Sequence, residues 1–483
     1  MMRATQKAWR LRRISMSLGL ALLVASCSCS TSETTTELVV WQTETDPRAK
    51  AVLEDLAVSF ERSHPGVDVT IESVPWGSLS ERLTSALRSN DPPDIAHLQP
   101  FMTYSLVQRG QLSPIDDVIA NLERTNGPIL PAVRDLQLFD GRRYGLAYAV
   151  GVTGWTFDVR KAGGVAPPYP TDTTGTISED ALFRYLAQVR ARNPEASVLI
   201  PGGTPFFMEQ LFGELVANAG GRLYDPATRQ FLFKSEPARR ALRFFVRLRQ
   251  AGMVTADWQG QQYVDQFSRL ASPGAVFLTP VTYARASVAI ERTLGSGGTS
   301  QANSNTFRFM SPPTLQPNGR PVATIDAEPF VIFQHTEREQ LPGGGTKRQL
   351  AAEFLQAFYA RDNYLRFVGT VPIHLTPVFS RLAEDPVYLG AIHPGWLEWH
   401  RHTLAFLRDP NLTRPILVPG PNASTLSDDL RNPYLLQLQA QGIISRAIGQ
   451  AMEPNADVER ILDTAQAAAM RLVDRQVQPA PSR

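Results

Sequence analysis

The chain has 483 residues, of which 43% are hydrophobic and 19% charged. That is too long for one compact core and ordinary for a soluble globular protein of two or more domains. No internal stretch approaches the roughly 20 apolar residues that a membrane-spanning helix needs.

The first residues stand apart. Arg3, Lys7, Arg10, Arg12 and Arg13 precede an apolar segment, Ile14–Ala25, too short to span a bilayer. This is the layout of a secretory signal. Its end, "LVASC", resembles the lipobox of bacterial lipoproteins, which implies lipidation at Cys27 and a mature chain starting there. The alternative is an ordinary cleaved signal with an incidental cysteine. Cys27 and Cys29 are the only cysteines, so an exported chain of this length has no disulfide framework. Cys29 reads as an incidental thiol in a polar, Ser/Thr-rich tether over 27–37. Loss of residues 1–26 removes five of the 48 basic groups and none of the 46 acidic ones, so the net charge moves from +2 to −3. That balance gives no reason to expect nucleic-acid binding.

From Glu37 the chain alternates between periods. "ELVVW" is strand-like. Asp46 caps a helix with Pro47 at its first position, and Ala49, Val52, Leu53, Leu56 and Phe60 recur at helical spacing. Residues 67–74 alternate like a strand. Ser78 and Glu81 have capping-box spacing before a helix through Leu83, Ala86 and Leu87. "NDPP" (90–93) stops it, because residues before proline avoid helical geometry, and "DIAHL" (94–98) is the next strand. Alternating strands and helices predict parallel βαβ units. Ligands gather at the carboxyl ends of such strands. Three ends present Trp41 to Glu44, Pro75 to Gly77 and Gln99 to Phe101, so two tryptophans and a phenylalanine share one rim.

The middle repeats this grammar. Strands are predicted over 144–150, 154–159, 197–200 and 274–280. Helices are predicted after a Thr176/Glu179 cap, over 206–218, and from Glu236-Pro237 to Gly252. Late helices fall at about 346–367, 396–408, 430–450 and 455–476. No short repeat supports a solenoid.

The ordered blocks "LVVW…FERSHPGVDVTIESVPW…LTSALRSNDPPDIAHL", "RGQLSPIDD", "DGRRYGLAYAVGVTGWTFDVRKA", "ANAGGRLYD", "ALRFFVRLRQAGMV" and "AAEFLQAFYA" resemble the family 1 extracellular solute-binding proteins of ABC importers, over about 38–375. The resemblance implies an α/β, two-lobe periplasmic-binding-protein fold. Each lobe is then a mainly parallel sheet flanked by helices, with ligand held between the lobes. It places 38–148 and 322–372 in lobe one, and 149–321 and 373–483, with a helical C-terminal region, in lobe two. It also implies hinge closure on a solute and delivery to membrane permease subunits by a monomer lipid-anchored outside the cytoplasm.

Sugars stack on aromatic rings and need paired donors and acceptors. Trp41, Trp76 and Phe101 from lobe one, and Trp155 and Tyr283 from lobe two, are the aromatic candidates; Glu44 and Gln99 are the polar ones. Each has core packing, a solvated loop or backbone satisfaction as its alternative. One stretch departs from the family: "TIDAEPF" stands where members commonly show small, glycine-rich residues. Its Asp326 and Glu328 either accept hydroxyl hydrogens or pair with a cationic ligand, or belong to a surface loop. Trp396 and Trp399, three residues apart, read as helix packing.

Catalytic patterns are missing: there is no G-x-S-x-G elbow and no H-E-x-x-H helix. "PGGGTKR" has the wrong spacing for a phosphate loop. His400 and His402 point to different helix faces, so no metal is expected. Asp116-Asp117 reads as a helix start. The reading is a carbohydrate-binding receptor without catalytic residues, metal or cofactor. The alternatives are a binder of a cationic or other polar solute, and a secreted glycan hydrolase built on paired carboxyls.

Overall fold

The computed structural model describes residues 35–477 apart from 45, 76–77, 167–176, 264, 272–275, 283–306, 318, 416–431 and 433. Cys27, Cys29 and the signal lie outside them, as do Trp76, Thr176 and Tyr283. No helix among the described residues is long and apolar enough to cross a membrane.

The opening unit forms as its sequence dictates. Strand Thr36–Gln42 buries Leu38 and Val40 and pairs in parallel with Val67–Ser73 on one side and Ile95–His97 on the other. Between them, helix Pro47–Ser63 starts at Asp46, whose carboxylate accepts from Arg48 N at 2.9 Å. Helix Leu79–Ser89 follows without the expected capping box: Ser78 makes no side-chain cap and instead donates to Pro75 O at 3.1 Å. Its end is set by Asn90, in the left-handed region at φ 57°, ahead of the prolines.

The sheet is parallel only on this side. Strand Pro329–Phe333 runs antiparallel to Ile95–His97, and Leu112–Ser113 and Leu146–Ala147 run antiparallel to it. The second sheet has one parallel pair, Ser197–Val198 with Val276–Thr282; Gly154–Asp158 is antiparallel to both Val276–Thr282 and Phe307–Met310. Both sheets are therefore mixed rather than mainly parallel. The cause is the chain path: a strand that arrives from the other lobe enters its sheet against the direction of the local βαβ units.

Two buried clusters organise the molecule. One gathers apolar side chains from 38–152 and 323–412, the other from 155–253, 277–315 and 434–473, with Leu199, Phe206, Leu270, Val276, Phe307 and Leu435 reaching into the first. The two-lobe α/β architecture follows from this division. Residues 373–412, placed in lobe two by the resemblance, contribute Ile373, Phe379, Tyr388, Trp399 and Leu407 to the first core. Tyr388 fixes this segment by donating to Leu375 O at 3.2 Å and accepting from Ile373 N at 2.8 Å. The second core is joined by Tyr434 and Leu438 and by helices Ile443–Ala451 and Val458–Val477.

Between the cores runs a small sheet. Ala323–Asp326 pairs antiparallel with Gly151–Val152 and parallel with Thr413–Pro415. These are the segments that cross from one lobe to the other.

Helix boundaries differ from the expected ones where another residue forms the cap. Ser178, not Thr176, caps helix Glu179–Arg192, accepting from Ala181 N at 3.2 Å. The reciprocal capping box occurs at Thr346 and Gln349. The 346–367 helix breaks at Ala360, and the 430–450 helix at Gly442, which has φ 55°.

One close contact sets a testable tolerance. A Cβ on Gly154 would come within 2.1 Å of the Phe309 ring, and Phe309 is itself stacked on Trp399 at 4.7 Å. Gly154→Ala should therefore cost about 1–3 kcal/mol by overpacking. A urea titration should show a lower midpoint at unchanged slope; an unchanged midpoint would mean the ring moves freely.

Candidate functional site

The carboxyl edge of the first sheet carries a buried polar group of side chains. Thr43 and Glu44 follow the first strand, His97 ends the third and Gln99 follows it. Tyr148 follows Leu146–Ala147, and Glu328 precedes the returning strand Pro329–Phe333. The returning strand matters here. Its pairing of Phe330 with His97 brings the chain back antiparallel, so Glu328 arrives where the parallel strands leave.

Contacts knit these groups together. Tyr148 donates its phenol to Glu44 Oε1 at 3.1 Å, and its ring packs edge-on to the His97 imidazole at 4.1 Å. Thr43 Oγ1 lies 2.6 Å from His97 Nδ1. His97 Nε2 lies 2.8 Å from Glu328 Oε2, at an angle poor for a hydrogen bond. Burial holds the imidazole down at about 3, against the opposing pull of the Glu44 charge. The ring is thus neutral at physiological pH, with one donor and one acceptor nitrogen. A carboxylate only accepts, so the proton belongs on Nε2 and the Thr43 hydroxyl donates to Nδ1.

An aromatic pair of the second region packs against the first core. After Ser197–Val198 the loop turns through Gly202, where a Cβ would strike Trp258 at 2.5 Å. Helix Pro205–Asn218 then begins, and Phe207 stacks on Tyr263 at 3.7 Å with planes 11° apart.

The sequence candidates fall into three groups. Glu44 and Glu328 meet in the polar group just described, with Gln99 on the same edge. Trp41 also ends there but is 5% exposed, and the Arg82 guanidinium covers its ring at 4.6 Å. Asp326 is half-buried in the crossing sheet opposite Gly151. Trp155 is a correction: it is 0% exposed, belongs to the second core and meets Phe244 edge-on at 5.8 Å. Strand Gly154–Asp158 lies between two others and is buried along its whole length, so its side chains have no open side. Trp76 and Tyr283 lie outside the described residues. Phe101 starts helix Pro100–Gln108, and its side chain is not described.

Trp396 and Trp399 are buried, 5.1 Å apart. His400 is buried with Nε2 2.9 Å from Ala383 O. Asp117 lies in the first turn of helix Asp116–Asn126, and its hydrogen bond to Arg348 holds its carboxyl below the usual range. Asp94, His335 and Glu339 converge closely enough to suggest a cation site. However, Lys347 Nζ is 3.0 Å from Asp94 and 3.1 Å from Glu339, so an ammonium already supplies the charge. That cluster also sits at the amino end of strand Ile95–His97, away from the polar edge.

A model of the bacterial extracellular solute-binding protein family matches residues 41–363. The chain belongs to this family. By sequence, this solute-binding protein is 25% identical over 118 residues to a binding protein of Brucella abortus strain 2308, covering 24% of this chain and 28% of that one. The chain thus spans little more than a quarter of the length of the curated relatives it matches. By fold, it resembles the GacH receptor of Streptomyces glaucescens (14% identity, 91% and 99% of the two chains, TM-score 0.67). It also resembles a chitin oligosaccharide binding protein (14%, 91% and 99%, 0.70) and the sugar-binding protein MalE of Xanthomonas citri (14%, 91% and 98%, 0.68).

Sequence reasoning missed Thr43, His97, Tyr148, Phe207 and Tyr263. The first two were within reach, since both sit at strand ends already singled out. Tyr148 and the Phe207–Tyr263 stack depend on pairings between segments far apart in the chain, which periodicity does not report.

The depressed histidine has a measurable consequence. An unfolded histidine binds a proton near 6.5 while the native ring stays neutral to about 3, so acidification favours unfolding through this interval. His97 should remove about 2 kcal/mol of stability between pH 7 and pH 5. Denaturant titrations of wild type and His97→Gln should show a smaller loss in the variant; parallel losses would place the acid sensitivity elsewhere.

Proposed function

We propose that this solute-binding protein is the extracytoplasmic, lipid-tethered receptor of an ABC importer. It captures a carbohydrate between its lobes and hands it, chemically unchanged, to permease subunits. The observation that carries this reading is the joined edge of the first sheet, where two buried carboxylates, a neutral imidazole, a phenol and a hydroxyl converge in a family of solute binders. Such a set offers acceptors for sugar hydroxyls and few donors. The aromatic pair Phe207–Tyr263 supplies the apolar face that sugar C–H groups need. Proteins of the same fold are described with acarbose and as a chitin oligosaccharide binder, which supports an oligosaccharide-sized ligand.

The lobe boundaries at about 148–149 and 321–322 and the closure of the lobes on ligand belong to this proposal. So does attachment through Cys27: Cys27→Ser should move the protein from the membrane fraction to the soluble one.

A second reading follows from charge. Glu44 and Glu328 share the site with a neutral histidine, and none of the six polar side chains is a lysine or arginine. An amino sugar or another cationic solute would be favoured by the same geometry.

Calorimetry against neutral oligosaccharides, amino sugars, sugar phosphates and small cations separates these outcomes. A neutral or amino sugar should bind, and Glu328→Ala or Glu44→Ala should weaken it by roughly ten- to a hundredfold, as for loss of a charged hydrogen-bond partner. Binding of cations alone would favour the second reading, and no binding would overturn the first. Oligosaccharide cleaved on incubation would point instead to a hydrolase.

A further inference from the structure

Helix Pro205–Asn218 is buried almost throughout, yet it carries Gln210, Glu214 and Asn218 at four-residue spacing, hence on one face. That face meets the strands that cross between the lobes. Glu214 Oε2 accepts from Thr153 Oγ1 at 2.9 Å, from Thr324 Oγ1 at 3.2 Å and from Thr324 N at 3.3 Å. Gln210 Nε2 donates to Thr324 Oγ1 at 3.0 Å. Asn218 closes the row by donating to Val322 O at 2.7 Å and accepting from Val322 N at 2.9 Å. The two threonines are joined directly, Thr153 N donating to Thr324 O at 2.9 Å.

On the other side the first lobe has its own hold. Val150 and Thr376 exchange backbone hydrogen bonds at 2.9 and 3.1 Å, and Tyr148 N donates to Glu328 O at 3.2 Å. On these two strands Gly151–Val152 and Ile325–Ala327 lie between the two grips, while the third crossing segment, Thr413–Pro415, pairs with Ala323–Ile325. Resting on the closure reading above, we propose that Glu214 is a titrating latch: it ties the outgoing and returning strands to the second lobe, confines their bending to Gly151–Val152 and Ile325–Ala327, and loosens when its carboxyl ionises.

The sign follows from the surroundings. Glu214 is 0% exposed. Thr153 and the Trp155 indole face it from the outgoing strand and Thr324 from the returning one. Gln210 and Asn218 flank it on its own helix. Its acidic neighbour Glu209 is turned to Ser445, whose Oγ donates to it at 3.1 Å. Asp326 is the nearest acid along the returning strand and is half-buried. No cation is among these groups, so the buried anion is held by neutral donors alone, and burial pushes the carboxyl up to about 7. Freed into water it returns to about 4.5. The latched state therefore holds the proton more tightly, and falling pH tightens the latch.

Hydrogen–deuterium exchange of the full chain without ligand tests this, corrected for the intrinsic pH dependence of exchange. Peptides covering 151–156 and 320–327 should gain about tenfold protection at pH 6 over pH 8, while peptides from 38–60 in the first core do not. Glu214→Gln should abolish the pH response. Thr153→Val, which removes a donor that favours the anion, should move its midpoint upward. Glu209→Gln should leave the response in place, since Glu209, itself raised to about 8 by burial, touches neither crossing strand. A wild-type response shared by all peptides, or unchanged in Glu214→Gln, would overturn the latch. Because no solute is present, a failed sugar panel leaves this outcome readable.

Discussion

A chain that passes from one core to another must satisfy its backbone where neither sheet continues, because an unpaired buried peptide group costs as much as a lost hydrogen bond. This constraint sits at the centre of the molecule. The three-stranded crossing sheet answers part of it, and the amide and carboxyl row of helix Pro205–Asn218 answers the rest. Gln210, Glu214 and Asn218 are tolerated in an otherwise buried helix because each has a partner on the crossing strands. Remove that pairing and the helix would carry uncompensated groups into the second core.

The same passage positions the polar edge. Strand Pro329–Phe333 enters the first sheet just after the crossing, so its first residues lie at the carboxyl ends of the parallel strands. Glu328 reaches His97 for that reason and no other. The mixed direction of the sheet and the composition of the edge are thus one fact: the strand that breaks the parallel order delivers a side chain to the place where parallel order puts ligands. Tyr148 is delivered by the outgoing strand in the same way. It links Glu44 to His97, one through its phenol and the other through its ring.

What could be read in advance follows from what each signal encodes. The first βαβ unit was legible because Asp46-Pro47, the helical spacing through Phe60 and the alternation from Val67 are local patterns. So was the polar promise of Glu44 and Glu328. Trp155 misled because a tryptophan near a strand end looks the same whether its strand is at an edge or enclosed, and only the order of strands tells. The core against which 373–412 packs was not legible for a related reason. Apolar residues such as Tyr388 and Trp399 announce that they will be buried, not against which core. His97 was passed over because a lone histidine in a strand carries no sign of the Glu328 that meets it 231 positions later.

Charge limits what the polar edge can accept. Two carboxylates in a buried site, beside an imidazole too desolvated to become a cation, leave the edge rich in acceptors. A phosphate or uronate would bring a further negative charge into a low-dielectric space without a counter-ion, a cost that a few hydroxyl contacts do not offset. A ligand rich in hydroxyl or ammonium hydrogens completes the acceptors instead of repelling them. The neutral histidine sharpens that preference. Protonated, it would neutralise one carboxylate and open the site to anions, but burial keeps it neutral well below the pH at which a free imidazole would charge. On the proposed carbohydrate reading, the desolvation that appears as a stability cost on acidification is the property that would keep the site selective for donors.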